Sequence, residues 1–347
     1  MRHAIGLFAL PLLALGCTQS ANAEDKKVPP PDPTALSEKA TLLAPIQVDS
    51  LTLTPIVATP AGLPKTESEV LVLDQAFASK LVKIKENENE SVNNLTLTNK
   101  GNKPLFLLAG EVIIGGKQDR IIGANTIIAA NTTQSVPVFC VEHGRWTEEA
   151  GSREFVTGKA LAHGRLRGSA SFESQQAVWN EVSAKNAVRK TGNSTDTYRQ
   201  VAQQQSNGTL KDSEKKVDAA IAKIAVNDRA RMIGYVVALN GKVATVDMFE
   251  SPTLFRKLEN KLVRSYLTEA IDIVANKDAK PPSAKEVKDF MFDADKATSE
   301  DAYQSSTAST IRFKGAKLSN KAQVDMKPSK ADPSAAPKPV YKNYQAK

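Results

Sequence analysis

Between about residues 41 and 141 the apolar positions fall in short runs rich in β-branched types: 46–57, 70–73, 95–97, 105–108, 112–114, 121–130 and 136–141. Gly, Asn and Pro separate them, most visibly in the stretch Asn99 to Pro104. Runs of this length between turn-forming residues predict strands. After Trp146 the pattern changes. Residues 147–172 are polar, Gly-rich and dotted with Arg153, Lys159, Arg165 and Arg167, which predicts a long loop. Helical spacing follows over about 174–190, 196–206 and 211–226.

The clearest local signals lie at 234–275. Two apolar alternating runs, 235–239 and 243–249, flank Asn240-Gly241, the pair that best suits a two-residue hairpin turn with positive φ at both positions. Ser251 then supplies a helix N-cap and Pro252 a first-turn proline. Leu254, Phe255, Leu258, Leu262, Tyr266 and Ala270 follow at helical spacing. A last strand is expected near 305–313. Together these elements predict an α+β fold: an antiparallel β sandwich or partly open barrel with several packed helices. The domain is expected over 41–326, with a β-rich part at 41–146, a helical part at 174–226 and the hairpin plus helix at 234–275.

The two ends read differently. Arg2 and His3 precede a twelve-residue apolar run, 4–15, which is too short to cross a bilayer as an anchor and fits a signal peptide over 1–23. Ala21-Asn22-Ala23 would release a soluble periplasmic or secreted protein. The overlapping Ala14-Leu15-Gly16-Cys17 would instead lipidate Cys17 and tether the chain, with Thr18 next to it suiting the outer membrane. Both fates remain open. Residues 24–40 carry charge and four prolines with no apolar periodicity, as a disordered Pro-rich linker does. The formal net charge of +8 is concentrated in part in the Lys-rich tail, and residues 327–347 are expected to be a disordered basic tail. Such a tail could meet an anionic surface; no nucleic-acid partner is expected. Only Cys17 and Cys140 are present, so no internal disulfide survives cleavage at either site, and Cys140 is expected to be a small buried apolar group.

Most catalytic signatures are missing. The stretch 110–118 has the wrong spacing for a phosphate loop, and Gln118 stands where a magnesium-binding hydroxyl belongs. His143, His163 and Cys140 have no zinc spacing, and Asp293-Ala294-Asp295 lacks the glycine a calcium loop requires. No metal or cofactor is therefore expected. Two segments nevertheless hold more polar functionality than a β core requires: Gly110-Glu111 with 115–120, and 142–146. Arg120 and Arg145 could grip an anion in bidentate fashion, Lys117 and Gln118 could add donors, and Trp146 could stack. An internal salt-bridge network joining Glu111 or Glu142 to the arginines is the structural alternative.

The run GEVIIGGKQDRIIGANTIIAANTTQSVPVFCVEHGRW at 110–146 resembles the core of an uncharacterised bacterial domain family. The family is named for its association with ADP-ribosylglycohydrolase and rhodanese-phosphatase-type proteins. The matching positions are Gly110, Glu111, Gly115, Lys117, Gln118, Arg120, and then Cys140, Val141, Glu142, Gly144, Arg145 and Trp146. Asp119 departs from the usual Asn. Further similarity lies at 176–182 and 240–270, so that the likeness covers about 41–275 and extends toward 326. The resemblance implies no established reaction, only a hint of ADP-ribose or phosphate-ester chemistry. The expected function is a non-catalytic binding or scaffold module of the cell envelope, holding a small anionic or polyhydroxyl ligand through Lys117, Gln118, Arg120, Arg145 and Trp146. The alternative is a hydrolase with Glu111 or Glu142 as general acid or base.

Overall fold

A computed structural model describes residues 34–64, 69–87, 92–147, 153–328 and 334–347, together with Met1. The expected signal segment, Cys17 and most of the expected linker lie outside the described residues. The framework is a ten-stranded antiparallel sheet. Its strands run in the order Thr34–Ser37, Ala40–Leu42, Leu51–Ala58, Met232–Leu239, Lys242–Phe249, Lys338–Ala346, Ser319–Met326, Ala308–Lys314 and Ser299–Gln304, with Ile46–Val48 also paired to Leu51–Ala58. Leu51–Ala58 is buried along its whole length, as a central strand covered on both faces must be.

The hairpin forms at the expected place. Asn240 and Gly241 have φ of 46° and 80°, the positive values that the tight turn demands, and Leu239 pairs with Lys242 across it. The helix Pro252–Ala270 begins as its sequence dictates: the Ser251 hydroxyl accepts from the Leu254 amide, and Pro252 occupies the first turn. This helix packs Phe255, Leu258 and Leu262 against Leu53, Tyr235 and Phe249 on one face of the large sheet. Helix Ala284–Asp295 covers the other face, setting Val287 and Phe290 on Ile56, Val236 and Tyr344.

The second body of structure is a curled six-stranded antiparallel sheet, ordered Phe155–Leu161, Glu111–Gly115, Arg120–Ile122, Thr132–Cys140, Asn94–Asn99 and Val82–Glu86. Its two edges approach each other, with Lys85 bridging to Glu154, so the sheet is a half-barrel. Alternation along Asn94–Asn99 sends Leu95 and Leu97 inward to meet Ile84, Ile113, Ile122 and Val138. Leu105, Leu107 and Ile128, from a small three-stranded sheet, close the same core. On the outer face Val112, Ile121 and Val141 are covered by Leu166, Val178, Val182 and Val201 from the helices Gly164–Phe172, Gln175–Arg189 and Arg199–Gln204. The architecture is mixed α+β, as the sequence pattern predicts, with a half-barrel standing for the partly open barrel.

Three expectations are corrected. Residues 147–172, read as a loop, contain the strand Phe155–Leu161 and the helix Gly164–Phe172. Their buried positions Leu166, Arg167 and Ala170 keep helical spacing, but one of them is charged, which disguises the apolar stripe. Part of the expected linker, residues 34–40, pairs into the sheet edge. The expected disordered tail holds the strand Lys338–Ala346, which lies inside the large sheet between Lys242–Phe249 and Ser319–Met326. Tyr341 and Tyr344 anchor it in the two cores on either side of that sheet.

Candidate functional site

Of the residues that carried the sequence expectation, those of 115–119 and 142–145 meet in an ion-paired latch, while Glu111 pairs separately with Lys261. Glu111 is buried; Lys261 Nζ stands 2.7 Å from its Oε1, and its Oε2 accepts from the Leu108 amide. Burial pushes the Glu111 carboxyl upward, against the pull of Lys261. Glu142 accepts from Arg145 Nη2 at 2.7 Å and from the Asp119 amide at 3.0 Å. Burial would raise that carboxyl too, but these donors outweigh it and hold it below the usual range. Arg145 also donates to the carbonyls of Gly116 and Thr147.

Asp119, the departure from the family's Asn, accepts from Arg199 Nε and Nη2, each at 2.8 Å, and from the Thr197 hydroxyl. Gln118 is buried and reaches the His143 carbonyl at 3.4 Å. Arg120 is fully buried inside the half-barrel, 3.8 Å from Glu86, and its Nε and Nη2 have no hydrogen-bond partner among the described residues. Trp146 is half exposed with Lys117 Nζ 5.6 Å from its ring centroid. Of this group Glu142 and Arg145 line a small hollow of about 410 Å³ beside Asn193, Thr195 and Arg199. The motif glycines serve the packing: at Gly110, φ is 92° and a Cβ would stand 2.6 Å from the Arg167 side chain. Both carboxylates proposed as acid or base are thus enclosed in ion pairs, and Arg120 has no path to a ligand in this arrangement.

A larger opening than this hollow lies elsewhere, in a cleft of about 890 Å³, within the usual size range for small-molecule sites. One wall is helix Gly164–Phe172, where Gly164 and Gly168 leave room; a second is helix Gln175–Arg189, which presents Ala177, Asn180, Glu181 and Ala184 along one face. Strands Met232–Leu239 and Lys242–Phe249 provide Val237, Val243 and Thr245, and helix Pro252–Ala270 adds Tyr266 and Glu269.

At one side of this cleft sits a relay centred on His163. The imidazole is fully buried; its Nδ1 is 2.9 Å from the Tyr198 hydroxyl, and its Nε2 is 2.9 Å from Glu181 Oε1 and 3.9 Å from Glu269 Oε2. The Tyr198 oxygen accepts from the His163 amide at 3.3 Å, so its own hydrogen is free to point at Nδ1. Nε2–H then donates to Glu181. Burial pushes the His163 pKa down to about 3, against the carboxylate of Glu269. Burial also raises the Glu181 carboxyl, against Arg165 and Lys185. Sequence reasoning considered His163 only as a zinc ligand and missed Glu181 and Glu269. The pair Gly164 and Gly168, one helical turn apart beside buried Leu166, was the signal that could have found the wall.

This histidine makes stability depend on pH with a definite sign. Between about pH 6.5 and about 3 the unfolded chain binds a proton at His163 that the folded protein refuses, so stability falls as pH falls. The slope from this group is at most about 1.4 kcal/mol per pH unit. Urea midpoints of the wild type and His163→Gln, taken from pH 7 to pH 5, should converge as pH falls; parallel curves would show that His163 is not held neutral.

The fold therefore defines an α+β domain with a cleft where the half-barrel's covering helices meet the large sheet. The model of the ARG and Rhodanese-Phosphatase-superfamily-associated Protein domain, ARPP-1, matches residues 39–330, and the chain belongs to this family. No curated protein and no solved structure matches it.

Proposed function

We propose that this is an exported cell-envelope protein that binds a small polyhydroxyl ligand in the cleft between helices Gly164–Phe172 and Gln175–Arg189. The observation that carries the reading is the lining of that cleft. Arg165, Lys242 and Lys347 are set against Glu173, Glu181 and Glu269, which leaves no positive excess for an anion. Carboxylates and the amides of Asn180 and Asn320 are the partners that sugar-like hydroxyls seek, and Phe172 offers an apolar ring beside them. The motif arginines favour the anionic alternative less, because Arg120 is buried and Arg145 is engaged with Glu142. Export rests on the signal-like segment 1–23, with anchoring through Cys17 as the alternative; the intact mass of the mature protein distinguishes an N-terminus at Glu24 from a lipidated Cys17.

A ligand screen by thermal shift tests the binding reading. Neutral hexoses, disaccharides and N-acetylhexosamines should stabilise the protein, by about 2.7 kcal/mol at a concentration a hundred times the Kd. Gly168→Phe should abolish the shift while leaving the fold intact, because a Cβ at Gly168 meets nothing within 4 Å and glycine is a poor helix residue. Stabilisation only by nucleotides or sugar phosphates, or a shift that survives Gly168→Phe, would refute the reading.

A further inference from the structure

We propose that Glu181 and Glu269 are a catalytic carboxyl pair that hydrolyses a glycosidic bond in the ligand of this cleft, a proposal that rests on the polyhydroxyl reading. The two side chains come from different helices, both line the cleft, and both face the same imidazole nitrogen at 2.9 and 3.9 Å. Those two distances keep the oxygens that face the imidazole less than about 7 Å apart, and direct attack by a water calls for carboxyl groups roughly 6.5 to 9.5 Å apart, so the ligand must sit between their outer oxygens.

Their surroundings divide the labour. Glu181 is the acid: burial favours its protonated form, and His163 Nε2–H holds one of its oxygens, leaving the other for the ligand. Glu269 is the base: its Oε2 accepts from the Arg165 amide at 3.2 Å, and its Oε1 lies 3.5 Å from Arg165 Nε. Lys185, Arg189 and Asp272 beside the pair form their own ion-pair cluster, and Glu173, Lys242 and Lys347 share the cleft lining. In the reaction Glu181 gives its proton to the bridging oxygen as the bond from that oxygen to the anomeric carbon breaks. A water forms the new bond to that carbon and gives its proton to Glu269. One water is consumed, two hydroxyl compounds leave, and the proton returns from Glu269 to Glu181 through solvent. His163 and Tyr198 are positioning residues, fixing the acid's rotamer and the imidazole's tautomer.

The test incubates the full chain with 4-nitrophenyl and methyl glycosides of common hexoses and N-acetylhexosamines, alongside Glu181→Gln, Glu269→Gln and His163→Gln, with urea midpoints confirming that each variant folds. The wild type should release product with a bell-shaped pH profile. Each glutamine variant at the pair should lose about 10²- to 10⁴-fold in rate. Glu181→Gln should impair methyl glycosides far more than 4-nitrophenyl ones, since a good leaving group needs little protonation. His163→Gln should shift the limb of the profile set by the acid, a change that a purely structural role would not produce. Sugar binding in the cleft without hydrolysis of any glycoside overturns this proposal and leaves the binding reading standing; absence of binding removes both. Hydrolysis that survives Glu181→Gln and Glu269→Gln also overturns it.

Discussion

Deleting residues 334–347 should abolish cooperative folding. Composition makes this segment look expendable, and the family match ends at residue 330, before it begins. Yet Lys338–Ala346 has a strand on each side: Phe249 pairs with Tyr341 and Thr245 with Gln345 on one, and Val324 with Tyr341 and Asn320 with Gln345 on the other. Its removal would expose the unpaired amides and carbonyls of two buried neighbours. It would also empty the sites of Tyr341 and Tyr344, both nearly inaccessible to solvent. Deleting one buried aromatic side chain costs about 3–5 kcal/mol, and two such losses rival the roughly 5–15 kcal/mol that hold an ordinary domain together. Urea unfolding followed by circular dichroism should show no cooperative transition in the truncated chain. An unchanged midpoint would mean that the strand is dispensable.

Replacing Asp247 with Ala should cost about 3–5 kcal/mol, because it would strand a buried guanidinium. The Asp247 carboxylate accepts from Arg167 Nη1 at 3.1 Å and Nη2 at 2.9 Å, from Asn343 Nδ2 at 2.8 Å, and from the hydroxyls of Tyr266 and Tyr341. Burial alone would raise this carboxyl; Arg167 and the tyrosine hydroxyls outweigh it and hold it below its usual value. Four separate segments meet at this one group: the hairpin, the helix beginning at Gly164, the long helix and the C-terminal strand. Replacing both charges with apolar residues of similar size, Asp247→Leu with Arg167→Met, should recover only part of the loss, since it removes the stranded guanidinium but leaves the hydroxyls of Tyr266 and Tyr341 and the Asn343 amide without their shared acceptor. Urea midpoints of the single and double variants check both statements. A loss below about 1 kcal/mol in Asp247→Ala, or a double variant as unstable as the single, would contradict the keystone role.

The parts of the fold written in local chemistry were legible. Asn240-Gly241 and Ser251-Pro252 fix a turn and a helix start through backbone requirements that no tertiary context overrides here. Helix Ala284–Asp295 was overlooked although its start is equally explicit: Ser283 and Glu286 form a capping box. The helix at Gly164 and the final strand failed for a different reason. Arg167 is buried because Asp247, eighty residues away, neutralises it, and the Lys-rich final strand is retained by tyrosines and amides facing inward. Local composition cannot report a partner so distant in sequence.

The same limit governs the site. Segments 115–119 and 142–145 meet, but the motif carboxylates are closed in ion pairs, Glu142 with Arg145, Asp119 with Arg199 and, apart from these, Glu111 with Lys261. The cleft residues Glu181 and Glu269 meet behind its wall at the buried His163, from three stretches spread over a hundred residues, with no spacing to announce them.

The central claim is that this cleft, and not the motif hollow, receives a polyhydroxyl ligand. Methyl NMR of alanine- and threonine-labelled protein titrated with neutral hexoses and N-acetylhexosamines tests it most directly. The methyl signals of Ala177 and Ala184, which line the cleft, should move in a saturable way, while those of Thr195 and Thr197, which line the motif hollow, should stay in place. Saturable movement at Thr195 and Thr197 with Ala177 and Ala184 unmoved, or no movement at either place, would contradict the account.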